Sequence, residues 1–324
     1  MLTRMNQALG IALVVQLGLA ALVWWPRGDA TVEAQNVLQM DAAAITKVEI
    51  QGRAVGEEPA EPVVLTRKAP GEWVIQSSFD YPATADKVTE MLDTLTGFEV
   101  RRPIATKTTS HAQLKVGDTE YGRRATVTAG DSSVELIIGA AASKAIHLRK
   151  AGEDDVYSVT GVSEWSIGDK PRSYWEPKVL DVDPETLESL TIRNASESLQ
   201  FTRTDGQWSA RGLPEGLEVD TTKVQDLAKR LVVLRMSEPV AGEAKPAHGL
   251  ANGTKVSWTT GDGNQSVAGG YTIGSELDSS YVHLRLDEQP FVLKVSKSTV
   301  KQALEATLDE YTREAQAAEA GGNG

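Results

Sequence analysis

Apolar residues are concentrated first near the start of the chain. The 18 residues from Ala8 to Trp25 include one strongly polar side chain, Gln16, and Pro26 follows them directly. As an α-helix this run would be about 27 Å long, which approaches the hydrocarbon thickness of a bilayer. We therefore predict an N-terminal transmembrane helix. Its core and interfacial residues are expected to include Ile11, Leu13, Val15, Leu17, Leu19, Trp24 and Trp25.

A cleaved signal peptide is the alternative for this leader, because residues 32–34 have the small-residue spacing of a cleavage site. The apolar run continues to Trp25, which leaves a longer gap to Ala34 than cleavage usually tolerates, so we favour a retained anchor. With Arg4 and the amino terminus held inside, both alternatives export the rest of the chain. The expected location is the bacterial inner membrane, crossed once, with the N-terminus cytoplasmic and the bulk periplasmic.

Beyond the leader, the pattern repeats at an almost constant offset. Five short matches occur in the same order at offsets of 135 or 136 residues, which indicates a duplication. They are Thr66-Arg67 with Thr202-Arg203, Trp73 with Trp208, Lys87-Val88 with Lys223-Val224, Ile138-Gly139 with Ile273-Gly274, and His147-Leu148-Arg149 with His283-Leu284-Arg285. We predict an anchor and linker over 1–34, repeat domains over 35–180 and 181–314, and a disordered tail over 315–324.

Each repeat alternates apolar and polar positions over several short runs and carries one stretch with helical spacing. The helical stretch has an apolar face at i, i+3, i+4 and i+7, and its members in the two repeats differ by 136 residues. These residues are Val88, Met91, Leu92, Leu95 and Phe98, and Val224, Leu227, Ala228, Leu231 and Leu234. The predicted class is α+β, with a mostly antiparallel sheet and one main packed helix per repeat. A further helix is expected over residues 300–311.

Composition and charge exclude several function classes. The chain has 33 basic and 45 acidic side chains, so its net charge of −12 argues against nucleic-acid binding. Because it lacks cysteine, it forms no disulfide, thiolate nucleophile or cysteine-ligated metal centre. The sequence contains no Walker, GxGxxG, GxSxG or HExxH signature. We therefore predict no catalytic, cofactor or metal-binding residues and expect a protein without enzymatic activity.

Repeated histidine, arginine and tryptophan residues are the remaining candidates for function. In the His-Leu-Arg strands, His147, Arg149, His283 and Arg285 alternate with core positions, so we expect them on a solvated face. The alternative is a basic strip that contacts a partner or an anionic envelope polymer. Trp73 and Trp208 are expected to pack beneath the helix, with sugar stacking as the alternative. Thr84 and Asp220 are expected to be helix N-caps.

The repeated turns resemble the family known as domain of unknown function 4340, in tandem. The resemblance is carried by Thr66 to Trp73 and Thr202 to Trp208, by the Lys-Val helix openings, by the Ile-Gly strand ends and by Tyr157-Ser158-Val159. A Tyr-Gly-Leu turn typical of the family is altered to Tyr121-Gly122-Arg123 and to His248-Gly249-Leu250. The resemblance implies a single N-terminal anchor and an association with an ABC-type, gliding-motility-like transport complex. It supplies no catalytic residue.

Three functional hypotheses follow. The first is a membrane-anchored periplasmic interaction or scaffold protein whose partner is a membrane complex, such as ABC-type transporter subunits. The second is an envelope protein that binds a glycan, peptide or lipid in a cleft between the repeats. The third is an enzyme with an unfamiliar site near residues 175–183.

Overall fold

The computed structural model describes residues 10, 12–20, 33–53, 60–140, 145–262 and 265–315. Residues 12–20 are helical, and the anchor residues Leu13, Val15, Leu17 and Leu19 belong to this helix. Ile11, Trp24 and Trp25 lie outside the described residues, as does most of the predicted tail. Within the described ranges, no helix is both long enough and apolar enough to pass through a bilayer.

The first half of the chain forms an eight-stranded sheet with one helix. We call residues 33–160 the first lobe. Its strands are β1 (Gln35–Asn36), β2 (Ile45–Gly52), β3 (Val63–Ala69), β4 (Glu72–Ile75), β5 (Tyr81–Pro82), β6 (Glu99–Val100), β7 (Arg123–Ala129), β8 (Ser132–Ala140), β9 (Ala145–Lys150) and β10 (Val156–Thr160), and helix α1 is Ala85–Thr96. The sheet order is β10-β9-β8-β7-β2-β3-β4-β5, and β1 pairs separately with β6.

The second half forms a nine-stranded sheet. We call residues 178–315 the second lobe and residues 161–177 the connector. The strands are β11 (Lys178–Asp181), β12 (Leu187–Arg193), β13 (Ser198–Thr204), β14 (Gln207–Ala210), β15 (Leu217–Val219), β16 (Val233–Ala241), β17 (Thr254–Asp262), β18 (Gln265–Glu276), β19 (Tyr281–Leu286), β20 (Val292–Ser296) and β21 (Thr312–Glu314), with helices α2 (Thr221–Leu231) and α3 (Lys297–Glu305). The sheet order is β11-β16-β20-β19-β18-β17-β12-β13-β14.

The two large sheets share one strand order. The series β10-β9-β8-β7-β2-β3-β4 of the first lobe corresponds strand by strand to β20-β19-β18-β17-β12-β13-β14 of the second. The described pairs in both sheets are antiparallel, and the helices are few, so the class is α+β with mostly antiparallel sheets. The second sheet differs because β16 and β11 extend it beyond β20.

The predicted apolar faces of α1 and α2 are confirmed. All ten residues of the two sets are buried, although Phe98 and Leu234 follow their helices. The third helix is shorter than predicted, because α3 ends at Glu305 and a separate 3-10 turn covers Leu308–Tyr311. Most of the buried apolar side chains form one cluster that extends through both lobes, and two small clusters are separate from it.

The N-cap positions are also confirmed, but the two caps differ. α1 begins after Thr84 and α2 after Asp220, and both residues have extended backbone angles. The carboxylate of Asp220 accepts a hydrogen bond from the N–H of Lys223 at 3.1 Å. The Thr84 side chain makes no capping bond. Of these two helices, only α2 therefore gains the stabilisation of a side-chain cap.

Candidate binding groove between the lobes

The prediction of a solvated side chain is wrong for Arg149, whereas His147 is partly exposed. Arg149 is 3% exposed, and its Nε donates to the carbonyl of Val116 at 2.7 Å. Its guanidinium also contacts Asp118 at 2.6 Å and lowers the pKa of that carboxyl. His147 Nδ1 lies 3.1 Å from the carbonyl of Leu114. These side chains face away from the helix as expected, but a loop covers that side of the sheet.

The corresponding residues of the second lobe are covered in a similar way. His283 is 7% exposed and lies against Ser275, with its ring centroid 4.9 Å from that of His248. Burial, together with the charges of His283 and Lys245, lowers the pKa of His248. Arg285 is only partly exposed. His147, Arg149 and His283 therefore contact covering loops, and the four candidate residues do not form an open basic strip.

Glycines in the repeated Ile-Gly pairs make room for these loops. A Cβ atom on Gly139 would lie 2.4 Å from the carbonyl oxygen of Leu114. On Gly274 it would lie 2.0 Å from the carbonyl oxygen of His248. Both distances are far below van der Waals contact, so the motif reflects close packing of backbone against backbone.

The tryptophans are buried, as predicted. Trp73 and Trp208 are each 5% exposed, and the indole N–H of Trp208 donates to Gln225 of α2 at 3.0 Å. The sugar-stacking alternative is therefore wrong for both residues, because neither ring presents a face to solvent.

The connector begins against the first lobe. Arg123 of β7 is 3% exposed, donates to the carbonyl of Glu164, and lies 3.7 Å from Asp169. The ring of Trp165 stacks over this guanidinium at 5.1 Å and is 77% exposed. The buried cation thus holds residues 164–169 against the sheet.

The next connector residues are held at the start of α1. Tyr174 donates its hydroxyl hydrogen to the carbonyl of Gly168 at 2.9 Å, and burial raises its pKa. The N–H of Thr84 donates to the carbonyl of Tyr174, and Lys87 Nζ donates to the carbonyl of Trp175, both at 2.7 Å. In the second lobe, Lys223 Nζ donates to the carbonyl of Glu310. The repeated Lys-Val motif therefore secures the returning chain.

The chain then crosses to the second lobe, where β11 pairs with residues 233–235 of β16. The two lobes also contact each other directly, since the rings of Tyr81 and Phe291 are 4.9 Å apart. Burial raises the pKa of Tyr81.

Where the connector diverges from β16, it leaves a cavity of about 500 Å³. We call this cavity the inter-lobe groove; it is lined by Ser78, Lys170, Pro171, Arg172, Trp175, Ser237, Glu238 and Pro239.

The groove is cationic on an acidic protein. Lys170 and Arg172 are exposed, and neither has an ion-pair partner in the part of the chain that the structure describes. The acidic residue of the lining, Glu238, is paired with Lys294 at 2.9 Å. This hydrogen bond raises the pKa of Lys294. Two positive charges therefore face the cavity without compensation.

Next to the groove, two residues have unusual backbone angles. Phe79 and Asp80 follow Ser78 and have φ values of 62° and 58°, in the left-handed region that residues other than glycine rarely occupy. The side chain of Phe79 is 51% exposed and lies close to Gly242 of the second lobe. Residues in this region cluster at functional sites, and in this chain Lys115 and Asp205 also adopt it, away from the groove.

A model of the family described as domain of unknown function (DUF4340) matches residues 73–253. This chain belongs to that family. The match covers more than half of the chain, from the first hairpin through the connector to the loop before β17. It is one continuous match, so the family assignment does not place a separate copy in each lobe. No curated protein and no solved structure matches the chain.

The residues that line the groove could not be predicted from the sequence, because they are not spaced at regular intervals along it. The segment 175–183, the hypothesised enzyme site, shares only Trp175 with the groove. The usable signal is the cluster of Trp175 with two neighbouring prolines, Pro171 and Pro177, at the joint between the repeats. Within the described ranges, no group of His, Asp and Glu residues is arranged to hold a metal ion.

Proposed function

We propose that this DUF4340 protein is a membrane-anchored periplasmic interaction or scaffold protein without enzymatic activity. Its partner would be a membrane complex, such as subunits of an ABC-type, gliding-motility-like transporter, in line with the family resemblance. The observation that carries the proposal is the inter-lobe groove, where an exposed aromatic side chain on strained backbone adjoins uncompensated cations. Such a surface is typical of a site that another molecule covers.

The apolar helix near the N-terminus supports the anchor. Leu13, Val15, Leu17 and Leu19 are 58%, 54%, 61% and 59% exposed, so the rest of the protein does not cover them. Burying each of these side chains would be favourable by about 1.5–3 kcal/mol. A bilayer would provide that burial for the whole run from Ala8 to Trp25.

Site-specific photocrosslinking in intact cells tests the interaction. A photoreactive phenylalanine analogue at position 79 is expected to crosslink to an integral membrane protein. The control is the same analogue at Val267, which is also exposed, at 62%, but lies near the start of β18. Equal yields from both positions, or no membrane protein among the products, would contradict the proposal.

The anchor and its orientation have a separate test. Alkaline phosphatase fused after Gly324 should be active, and β-galactosidase at the same point should be inactive, because only the former folds to an active enzyme in the periplasm. The full chain should remain in the membrane fraction after carbonate extraction. Release by carbonate would contradict a retained anchor.

A second candidate function is binding of a glycan, peptide or lipid in the cleft. The observation in its favour is the cavity of about 500 Å³, which falls in the range of small-ligand sites. Native mass spectrometry of the full chain in detergent would reveal a stoichiometric small ligand that is lost on substitution of Lys170 and Arg172, which line the groove. The absence of such a mass would leave the interaction protein as the function.

A further inference from the structure

The side of strand β16 that faces the groove is unpaired over half its length. β11 pairs with residues 233–235, and the N–H of Met236 donates to the carbonyl of Pro177 at 2.8 Å. From Ser237 to Ala241, no described strand pairs with that side, although β20 pairs with the other. Ser237 and Glu238 are exposed, whereas Pro239 and Ala241 are buried, so the accessible part of this edge lies at Ser237 and Glu238. An open strand edge is a template for an extended peptide.

The charge of the groove selects the kind of peptide. Lys170 and Arg172 present ammonium and guanidinium groups next to this edge, and Glu238 is already paired with Lys294. Ammonium and guanidinium groups are able to form charge-assisted hydrogen bonds with the carboxylates of a bound molecule. The chain as a whole has a net charge of −12, but the groove is positively charged. The groove would therefore favour an acidic segment over a basic one.

Apolar groups complete the surface. Pro171 is partly exposed at the groove, Trp175 and Pro239 form its buried floor, and Phe79 stands beside it with half of its surface exposed. Successive side chains of an extended peptide point to opposite sides, so alternating acidic and apolar residues could reach the cations and the apolar groups separately. Because Pro239 has no N–H, the edge offers few backbone donors, and side chains would supply most of the selectivity.

We infer that the inter-lobe groove binds an extended, acidic segment of the partner protein, with carboxylates on Lys170 and Arg172 and an apolar side chain against Phe79 and Pro171. This inference rests on the proposed interaction function and specifies its partner chemistry. It favours a peptide over a lipid headgroup or a free anion, because only a peptide uses the open edge of β16.

Fluorescence anisotropy with the full chain in detergent micelles tests the inference. The probes are a labelled octapeptide in which glutamate alternates with valine, and its counterpart with lysine in place of glutamate. The acidic peptide should bind at least tenfold more tightly. The double variant K170E/R172E should abolish this preference, whereas K170R/R172K should retain it.

The matched control is K229E/R230E, which makes the same change in net charge on two exposed residues of α2. It should keep the preference for the acidic peptide within about twofold, because the change lies outside the groove. Equal affinity for the two peptides, no binding of either peptide, or a preference that survives K170E/R172E would overturn the inference.

A parallel experiment separates this inference from the proposed function. If K170E/R172E still crosslinks the membrane partner from position 79 with unchanged yield, the interaction stands and the acidic-segment inference fails. If the wild-type chain crosslinks no membrane partner, the proposed function fails, whatever the peptides do. If a crosslinked product carries a lipid or a glycan instead of a peptide, the inference is overturned.

Discussion

The guanidinium carbon of Arg67 lies 4.9 Å from the ring centroid of Trp73, and its terminal nitrogens donate to the carbonyls of Ala42 and Ala43. Arg203 repeats the arrangement over Trp208 at 6.0 Å and donates to the carbonyl of Glu185 at 2.8 Å. In each lobe, one arginine therefore joins the hairpin to the turn before the first central strand. This contact explains why the Thr-Arg and Gly-x-Trp motifs recur together.

Removing this arginine should destabilise its lobe. R67A and R203A are each expected to lower the free energy of unfolding by about 1.5–3 kcal/mol, because each loses charged hydrogen bonds and a cation–π contact. Urea denaturation followed by tryptophan fluorescence measures the loss. Arg193 is exposed, so R193A serves as the control and should change stability by less than about 0.5 kcal/mol. Equal effects of all three substitutions would show that these contacts contribute little.

The two helix caps should respond differently to alanine. D220A is expected to cost about 1 kcal/mol, because it removes the acceptor for the N–H of Lys223. T84A at the corresponding position should be nearly neutral, since the Thr84 side chain makes no capping bond. Chemical denaturation of both variants measures the change in the free energy of unfolding. A larger decrease for T84A than for D220A would contradict the described geometry.

The glycines of the two repeated Ile-Gly pairs should not tolerate replacement by a residue with a side chain. G139A and G274A are each expected to cost about 1–3 kcal/mol, because the new methyl group would force a covering loop away from its strand. Gly117 is a matched control in the first loop, where the atom nearest to an added methyl group would be 3.4 Å away. G117A should therefore be closer to the wild type. Hydrogen exchange should also show faster opening of residues 105–122 in G139A.

Stability should fall on acidification through the ordinary histidine pKa. The pKa of His248 is lowered from 6.5 in the folded chain, so the unfolded chain binds this proton more readily. The contribution is present above pH 6.5 and is lost as the pH falls from 6.5 to the lowered value. H248N should therefore lose less stability between about pH 7.5 and about pH 5.5 than the wild type, measured by urea unfolding.

The control for this pH dependence is H147N in the first lobe, which leaves the pair of His248 and His283 intact. It should show the wild-type difference between the two pH values. A wild-type difference in H248N as well would indicate that other groups cause the pH dependence.

Periodic features of the sequence are sufficient to predict the two helix faces and the class of the sheets. The spacing of Val88, Met91 and Leu95 identifies a buried face, and alternation at Ile146 and Leu148 identifies a core strand. The predicted solvation of Arg149 is wrong for a physical reason. Alternation distinguishes the two faces of a strand, but it does not reveal that an aperiodic loop will cover the second face.

The inter-lobe groove could not be predicted in the same way. It depends on the connector staying on the first lobe as far as Trp175, after which β11 pairs with β16. The bonds that fix this path are made by Arg123, Tyr174 and Lys87, which are separated from one another along the chain. Patterns in a single sequence carry no information on such long-range polar contacts. The recurrence of Lys87 at Lys223 is the one indication that a lysine at this position has a structural role.

The pairing of β1 with β6 determines how the protein would respond to tension. Gln35 and Asn36 enter the first lobe through this short ladder, and the N–H of Val37 donates to the carbonyl of Phe98 just after α1. A force transmitted along the leader would therefore act on the first lobe, beside the end of its helix. The connector and contacts such as that of Tyr81 with Phe291 would pass the force on to the second lobe, so the groove lies where the two lobes would be pulled apart.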